Sequence, residues 1–208
     1  MRLTHWTIAA LVIFSWWSAE TDHLTWHRLS GDLILGLLLF RLVWGVVGSQ
    51  TARFSAFVQG PSAVIRYVRG QGFAGHGHNP LGALSVVALL AALCLEVGLG
   101  LFTVDEDGLE PGPLAKYVDF DTGRTIAKLH HLTFNLLLAL VAVHLVAIAI
   151  YELRRKRLVL PMITGYATAA DSASAPRFAS PWLAVAVAAG AAAIAWLVAH
   201  GLKLSGPI

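Results

Sequence analysis

The 208-residue chain has a single cysteine, Cys94, set in an apolar run. One thiol cannot build a disulfide framework or a thiolate metal site, so Cys94 is read as a packing residue. Charge is scarce as well: 13% of residues are charged, against 57% that are hydrophobic. That balance is too apolar for an ordinary water-soluble domain. The net charge of +3 is not gathered on one polar face, so nothing points to nucleic acid. The first apolar segment lacks the marks of a secretory leader, with His5 and Trp6 where a basic flank belongs and no small-residue cleavage site after Ser18. It is expected to be retained.

What the chain has instead is long apolar runs. A bilayer core is about 30 Å thick, so a helix needs roughly 20 mostly apolar residues to cross it. Residues 127–151 meet that length, as do 26–48 and 81–102; residues 3–19 are on the short side. A fifth, alanine-rich run follows at 181–201. The connection 49–80 is polar and is expected to hold a short interfacial helix. A loop rich in Asp, Glu, Gly and Pro occupies 103–126, and the stretch from the basic run to Ser180 reads as weakly structured. The expected fold is all-α, an integral membrane four-helix bundle with a fifth C-terminal transmembrane helix. Its parts are a core domain at 1–160, a cytoplasmic linker at 161–180 and the added helix at 181–201.

Charge placement orients the bundle. The 49–80 loop holds Arg53, Arg66 and Arg69 with no acid, and Arg154, Arg155, Lys156 and Arg157 close the fourth run. Both read as cytoplasmic, because short cytoplasmic loops collect Lys and Arg. The 103–128 loop sets six acids against Lys116, Arg124 and Lys128, and the first connection carries Glu20 and Asp22. Those two read as periplasmic. The protein is expected in the cell inner membrane, multi-pass, with its N-terminus cytoplasmic.

Histidines at membrane depth are functional hypotheses by default. His130 and His144 are fourteen residues apart, which is roughly 21 Å of helix and only about 40° of rotation. Both can therefore face one bundle interior from opposite leaflets. With the orientation above, His27 matches the height of His130 and His5 that of His144. A pair of neutral imidazoles on neighbouring helices suits the two axial positions of a haem iron. No carboxylate or thiolate partners for a zinc site stand at either height. His131 points about 100° away from its neighbour and reads as a neighbour of the haem or of the membrane surface; His130 is preferred because fourteen residues before His144 is nearer in phase than thirteen. Arg41, toward the cytoplasmic half, could reach a propionate of an inner haem or snorkel to headgroups. Arg28 could serve an outer propionate or the outer surface. Glu96 and Asp32 are proton-carrier candidates with internal hydrogen bonding equally open, His76 and His78 read as surface residues, and His200 is assigned no role.

Several stretches resemble one family: RLTHW at 2–6, WHRLSGDLILGLLLFRLVWGVVGSQTARFSAFVQGP at 26–61, GHNPLGALSVVALLAALCLEVGLGLF at 77–102, LHHLTFNLLLALVAVH at 129–144, and the closing YELRRKRLVLPMITG. Over about residues 1–166 the chain resembles the bacterial cytochrome b561 family, in the branch that includes the cytochrome b subunits of nickel–iron hydrogenases. The resemblance implies a four-helix core with two haem b groups, ligands at His5, His27, His130 and His144, and none from the third span. It departs at His131, where many members carry an acid. It also implies electron transfer between a redox partner, a periplasmic c-type cytochrome or hydrogenase subunits, and the membrane quinone pool.

The expected function is thus a transmembrane electron conduit of the respiratory chain, more an electron-transfer subunit than an enzyme acting alone. Two other classes stay open: a stand-alone superoxide:quinone oxidoreductase, and a non-redox membrane scaffold or transporter. The expected partners are quinone, the lipid bilayer and a periplasmic redox protein, with a homodimer also open.

Overall fold

The computed structural model describes residues 1–70, 79–105, 110–155, 157–166 and 177–203. His76 and His78 lie outside these described residues. Eight α-helices follow in order: α1 (Arg2–Glu20), α2 (Leu24–Val47), α3 (Phe54–Phe57), α4 (Pro61–Val68), α5 (Pro80–Gly100), α6 (Phe120–Leu153), α7 (Val159–Thr164) and α8 (Pro181–Ala199). Their starts follow local chemistry. Pro61, Pro80 and Pro181 open α4, α5 and α8, where a missing N–H costs nothing because the first-turn donors have no helical acceptor. Asn79 caps α5 by accepting from Gly82 N at 2.8 Å, and Asp119 caps α6 by accepting from Thr122 N at 2.9 Å.

Four helices are long and apolar enough to cross a membrane: α2, α5, α6 and α8. The all-helical chain is thus built as a multi-span membrane bundle. Only 6% of the most apolar stretch of α6 is buried within the protein, so most of its apolar surface is left for lipid. The first helix is not among the four, because Arg2, His5, Glu20 and three tryptophans dilute its 19 residues.

Helix α1 lies against α2, α5 against α6, and α8 also against α2. The α1–α2 contact is lined by small polar residues, Ser15, Ser18 and Ser30, all buried. Such residues let membrane helices approach and bond locally; the Ser18 hydroxyl donates to Ser15 O at 2.9 Å and that of Ser30 to His27 O at 2.8 Å. Gly36 does the same against α8, where an added Cβ would lie 3.5 Å from that of Ala195. The two hairpins share an apolar belt of Ile34, Leu38, Ala92, Leu93 and Leu137.

At the end where α1 begins and α6 finishes, the connections are tied down. Arg2 donates to Ile163 O at 2.9 Å and the Trp6 indole to Met162 O at 3.0 Å, fastening α7 across the start of α1. From its sequence this stretch reads as weakly structured; the Glu152 carboxylate supplies the determinant of the helix found there. Its Oε1 accepts from Leu158 N at 2.6 Å and Val159 N at 2.8 Å. These two bonds fix the turn that leads into α7. In Glu152→Leu the Leu158 and Val159 amides are expected to lose protection against hydrogen exchange; unchanged protection would contradict it. The 49–80 connection holds two short helices, α3 and α4, where one was expected. At this end Tyr151 Oη accepts from Asn79 at 2.7 Å and lies 3.0 Å from Tyr67 Oη.

At the opposite end the chain between α5 and α6 folds back over the bundle. Leu114 N donates to Leu101 O at 2.8 Å and Gly112 N to Thr103 O at 2.9 Å. Gly112 is required here, since a Cβ would fall 2.5 Å from Gly100 O. The Tyr117 hydroxyl donates to Gly201 O at 3.3 Å, joining this loop to the end of α8.

Candidate functional site

Of the described histidines, His27 and His130 lie on one side of the apolar belt and His5 and His144 on the other. At the outer-loop end, His27 of α2 and His130 of α6 face each other with ring centres 6.1 Å apart and planes at 79°. Each ring is anchored through Nδ1. His27 Nδ1 donates to Ser15 O at 3.0 Å and sits 3.0 Å from the Ser15 hydroxyl. His130 Nδ1 donates to Glu96 O at 3.0 Å and lies 3.2 Å from Glu96 Oε1. A carbonyl oxygen can only accept, so the proton of each neutral ring belongs on Nδ1. The Nε2 lone pair is then free for a metal, the arrangement in which outer hydrogen bonds orient a ligating imidazole. Two imidazoles on one metal at about 2 Å per bond place their ring centres roughly 6 Å apart.

These rings border a cavity of about 390 Å³ between α1, α2, α5 and α6, lined also by Gly31, Gly100 and Leu137. Its glycines keep it open. A Cβ on Gly100 would press to 3.2 Å from His130 Cε1, and one on Gly31 would meet nothing within 4 Å. The imidazole donors and the largely apolar space beside them suit a flat, apolar group.

His131 also lines the cavity but is exposed. Its ring centre stands 6.4 Å from that of His130, and no hydrogen bond holds it among the described residues. Arg28 forms an ion pair with Glu110 at 3.0 Å and donates to Pro111 O at 3.4 Å, so it ties the outer loop to the rim. Glu96 is buried at 8% exposure and internally bonded, to Thr133 as well as His130. Asp32 also borders the cavity, and His200 of α8 is close enough to influence its charge. The His200 ring stacks on Trp196 at 4.3 Å and its Nδ1 donates to Trp196 O at 2.7 Å.

At the other end, His5 and His144 lie within electrostatic reach of each other. His144 Nδ1 is 3.3 Å from the Ser85 hydroxyl, and His5 packs edge-on against Trp6 at 5.1 Å. The Arg41 guanidinium lies 4.7 Å above the Phe54 ring, and its buried Nη1 has no hydrogen-bond partner among the described residues. A buried guanidinium N–H without an acceptor is costly, which marks the place of an anionic group. No cluster of three or more His, Cys, Asp or Glu side chains capable of holding a bare metal ion occurs among the described residues. The imidazoles of His27 and His130 are the donors that the described residues bring together.

The sequence reading missed the anchors, Ser15, Ser85 and Thr133. Their only signal was a hydroxyl in an apolar run, which any membrane helix can satisfy on its own backbone. No curated protein and no solved structure matches the chain. The family model described as prokaryotic cytochrome b561 matches residues 1–165.

Proposed function

The chain belongs to the prokaryotic cytochrome b561 family, and from that premise we propose that it carries electrons across the inner membrane through two bis-histidine haem b groups. The family membership and the multi-span bundle stand behind a membrane-embedded electron-transfer role; the observation that carries the finer reading is the facing of His27 and His130 with both Nδ1 atoms tied back. His27 and His130 would hold the group at the periplasmic level, and His5 and His144 the one at the cytoplasmic level. Bound there, the groups supply one-electron redox chemistry at iron.

The protein's own contribution is placement and exclusion. With two imidazoles offered to each iron, outer-sphere transfer would be favoured over small-ligand chemistry. Arg41 offers its free N–H to a propionate of the inner group, while Arg28 is held by Glu110 and acts on the outer rim. The belt of Ile34, Leu38, Leu93 and Leu137 keeps water from the path between levels. The positive-inside pattern puts the N-terminus in the cytoplasm. Residues 1–160 form the electron-carrying domain, 161–180 a cytoplasmic linker and 181–201 a fifth transmembrane helix on α2. The quinone pool is one end of the path and a periplasmic c-type cytochrome or hydrogenase subunit the other.

The test is a reduced-minus-oxidised spectrum and a haemochrome assay on the purified full chain expressed with ample haem. Two b-type haems per chain are expected. A well-folded chain with no b-type signal would end the proposal, and rapid quinone reduction by superoxide without any partner would replace the subunit reading with that of a stand-alone oxidoreductase.

A further inference from the structure

Glu96 sits on α5, the core helix that supplies none of the four histidines, yet its side chain reaches the outer pair. Its carboxylate lies 3.2 Å from His130 Nδ1 through Oε1, while its own backbone carbonyl accepts from the same Nδ1 at 3.0 Å. The other oxygen, Oε2, is held by the Thr133 hydroxyl. Thr133 stands one helical turn beyond His130, and its hydroxyl also lies 3.1 Å from His130 O. The carboxylate is therefore gripped from the helix that carries the ligand. Among the described residues no carboxylate backs the partner ring, whose Nδ1 bonds to a serine carbonyl and hydroxyl. At the other level His144 meets only the Ser85 hydroxyl, at 3.3 Å.

A carboxylate in a membrane helix needs a reason, because burying it without strong partners is expensive. Here its partners are the ligand ring and the residue that aims it. An acceptor that draws on the Nδ1 proton makes the imidazole a stronger donor at Nε2 and fixes its rotation. A stronger donor favours the oxidised iron and lowers its reduction potential. Two levels with unequal backing would then differ in potential, which gives electron flow a preferred direction between them.

We propose that Glu96, aimed by Thr133, is a positioning residue that orients His130 and lowers the potential of the outer haem relative to the inner one. This rests on the reading of His130 as a haem ligand. Glu96 touches no reacting atom and acts only through the ring.

The test uses full-length protein carrying Glu96→Leu, Glu96→Gln or Thr133→Val, each first assayed for haem content. Redox titration should show the outer potential rising most in Glu96→Leu and less in Glu96→Gln, whose amide oxygen still accepts, while the inner potential stays put. The ferric low-spin resonance of the outer haem, which reports ring orientation, should change in Glu96→Leu and in Thr133→Val. A general loss of packing would move both haems together, and a distant field effect would move the potential without the resonance; either result overturns the proposal. So do unchanged potentials and spectra in variants that keep both haems. If Glu96→Leu fails to load haem, the other two variants decide. A His130→Ala chain that still binds both haems would remove the ligand reading itself, an outcome separate from a silent Glu96 series.

Discussion

His130→Ala is expected to halve the haem content of the purified protein, while His131→Ala leaves it unchanged. The adjacent imidazoles are alike in chemistry and differ in what surrounds them. His130 faces His27 at 6.1 Å between ring centres, and Glu96 holds its Nδ1. His131 is exposed and has no hydrogen bond to hold it among the described residues. Removing His130 leaves one axial position unfilled, and a water in its place is a far weaker ligand than an anchored imidazole. His27→Ala should give the same loss. Ser15→Ala should be much milder, because the Ser15 carbonyl remains to accept from His27 Nδ1; losing an outer partner weakens metal binding by about 10- to 100-fold at most. Haemochrome assays of the four variants check the series. Equal loss from His130→Ala and His131→Ala, or loss from His131→Ala alone, would overturn the assignment of the outer ligand.

The second large effect concerns passage across the membrane. In His144→Ala and His5→Ala proteins reconstituted into vesicles, transfer from an external reductant to an enclosed acceptor should fall to the bilayer background, while the outer haem is still reduced. The reason is distance. The two levels are separated by the fourteen residues between His130 and His144, roughly 21 Å along the helix, and a single centre leaves that gap unbridged. Arg41→Gln should keep both haems but lower the inner potential, since a cation near the group favours its reduced form. Its expected effect is thus opposite in sign to that of Glu96→Leu and confined to the other haem. Native transfer rates in His144→Ala would show that the inner pair is no part of the path.

The long apolar runs made the spanning helices legible, because a bilayer demands a length and a composition that leave a plain mark. Less visible was α7, whose six residues hang on a carboxylate, Glu152, placed at the end of the preceding helix. Arg28 reads from the sequence as serving an outer propionate or the outer surface, and its ion pair with Glu110 depends on a loop that returns over the bundle from far along the chain. His200, assigned no role, stacks on Trp196 beside the α2 helix rather than standing alone.

By itself the amino-acid order determined that this chain lies in a membrane, that its histidines occur at two depths, and that one helix carries a histidine at each. Those properties depend on hydropathy and helical phase, which are local. Only the tertiary structure decided which imidazole of the 130–131 pair meets His27, that Glu96 stands behind it, and that α8 lies on α2. Apolar side chains facing lipid and apolar side chains facing a neighbouring helix have the same composition, so hydropathy cannot say which face meets which. The bonds that make the distinction join residues such as Glu96 and Thr133, 37 positions apart, and they exist only once the helices have come together.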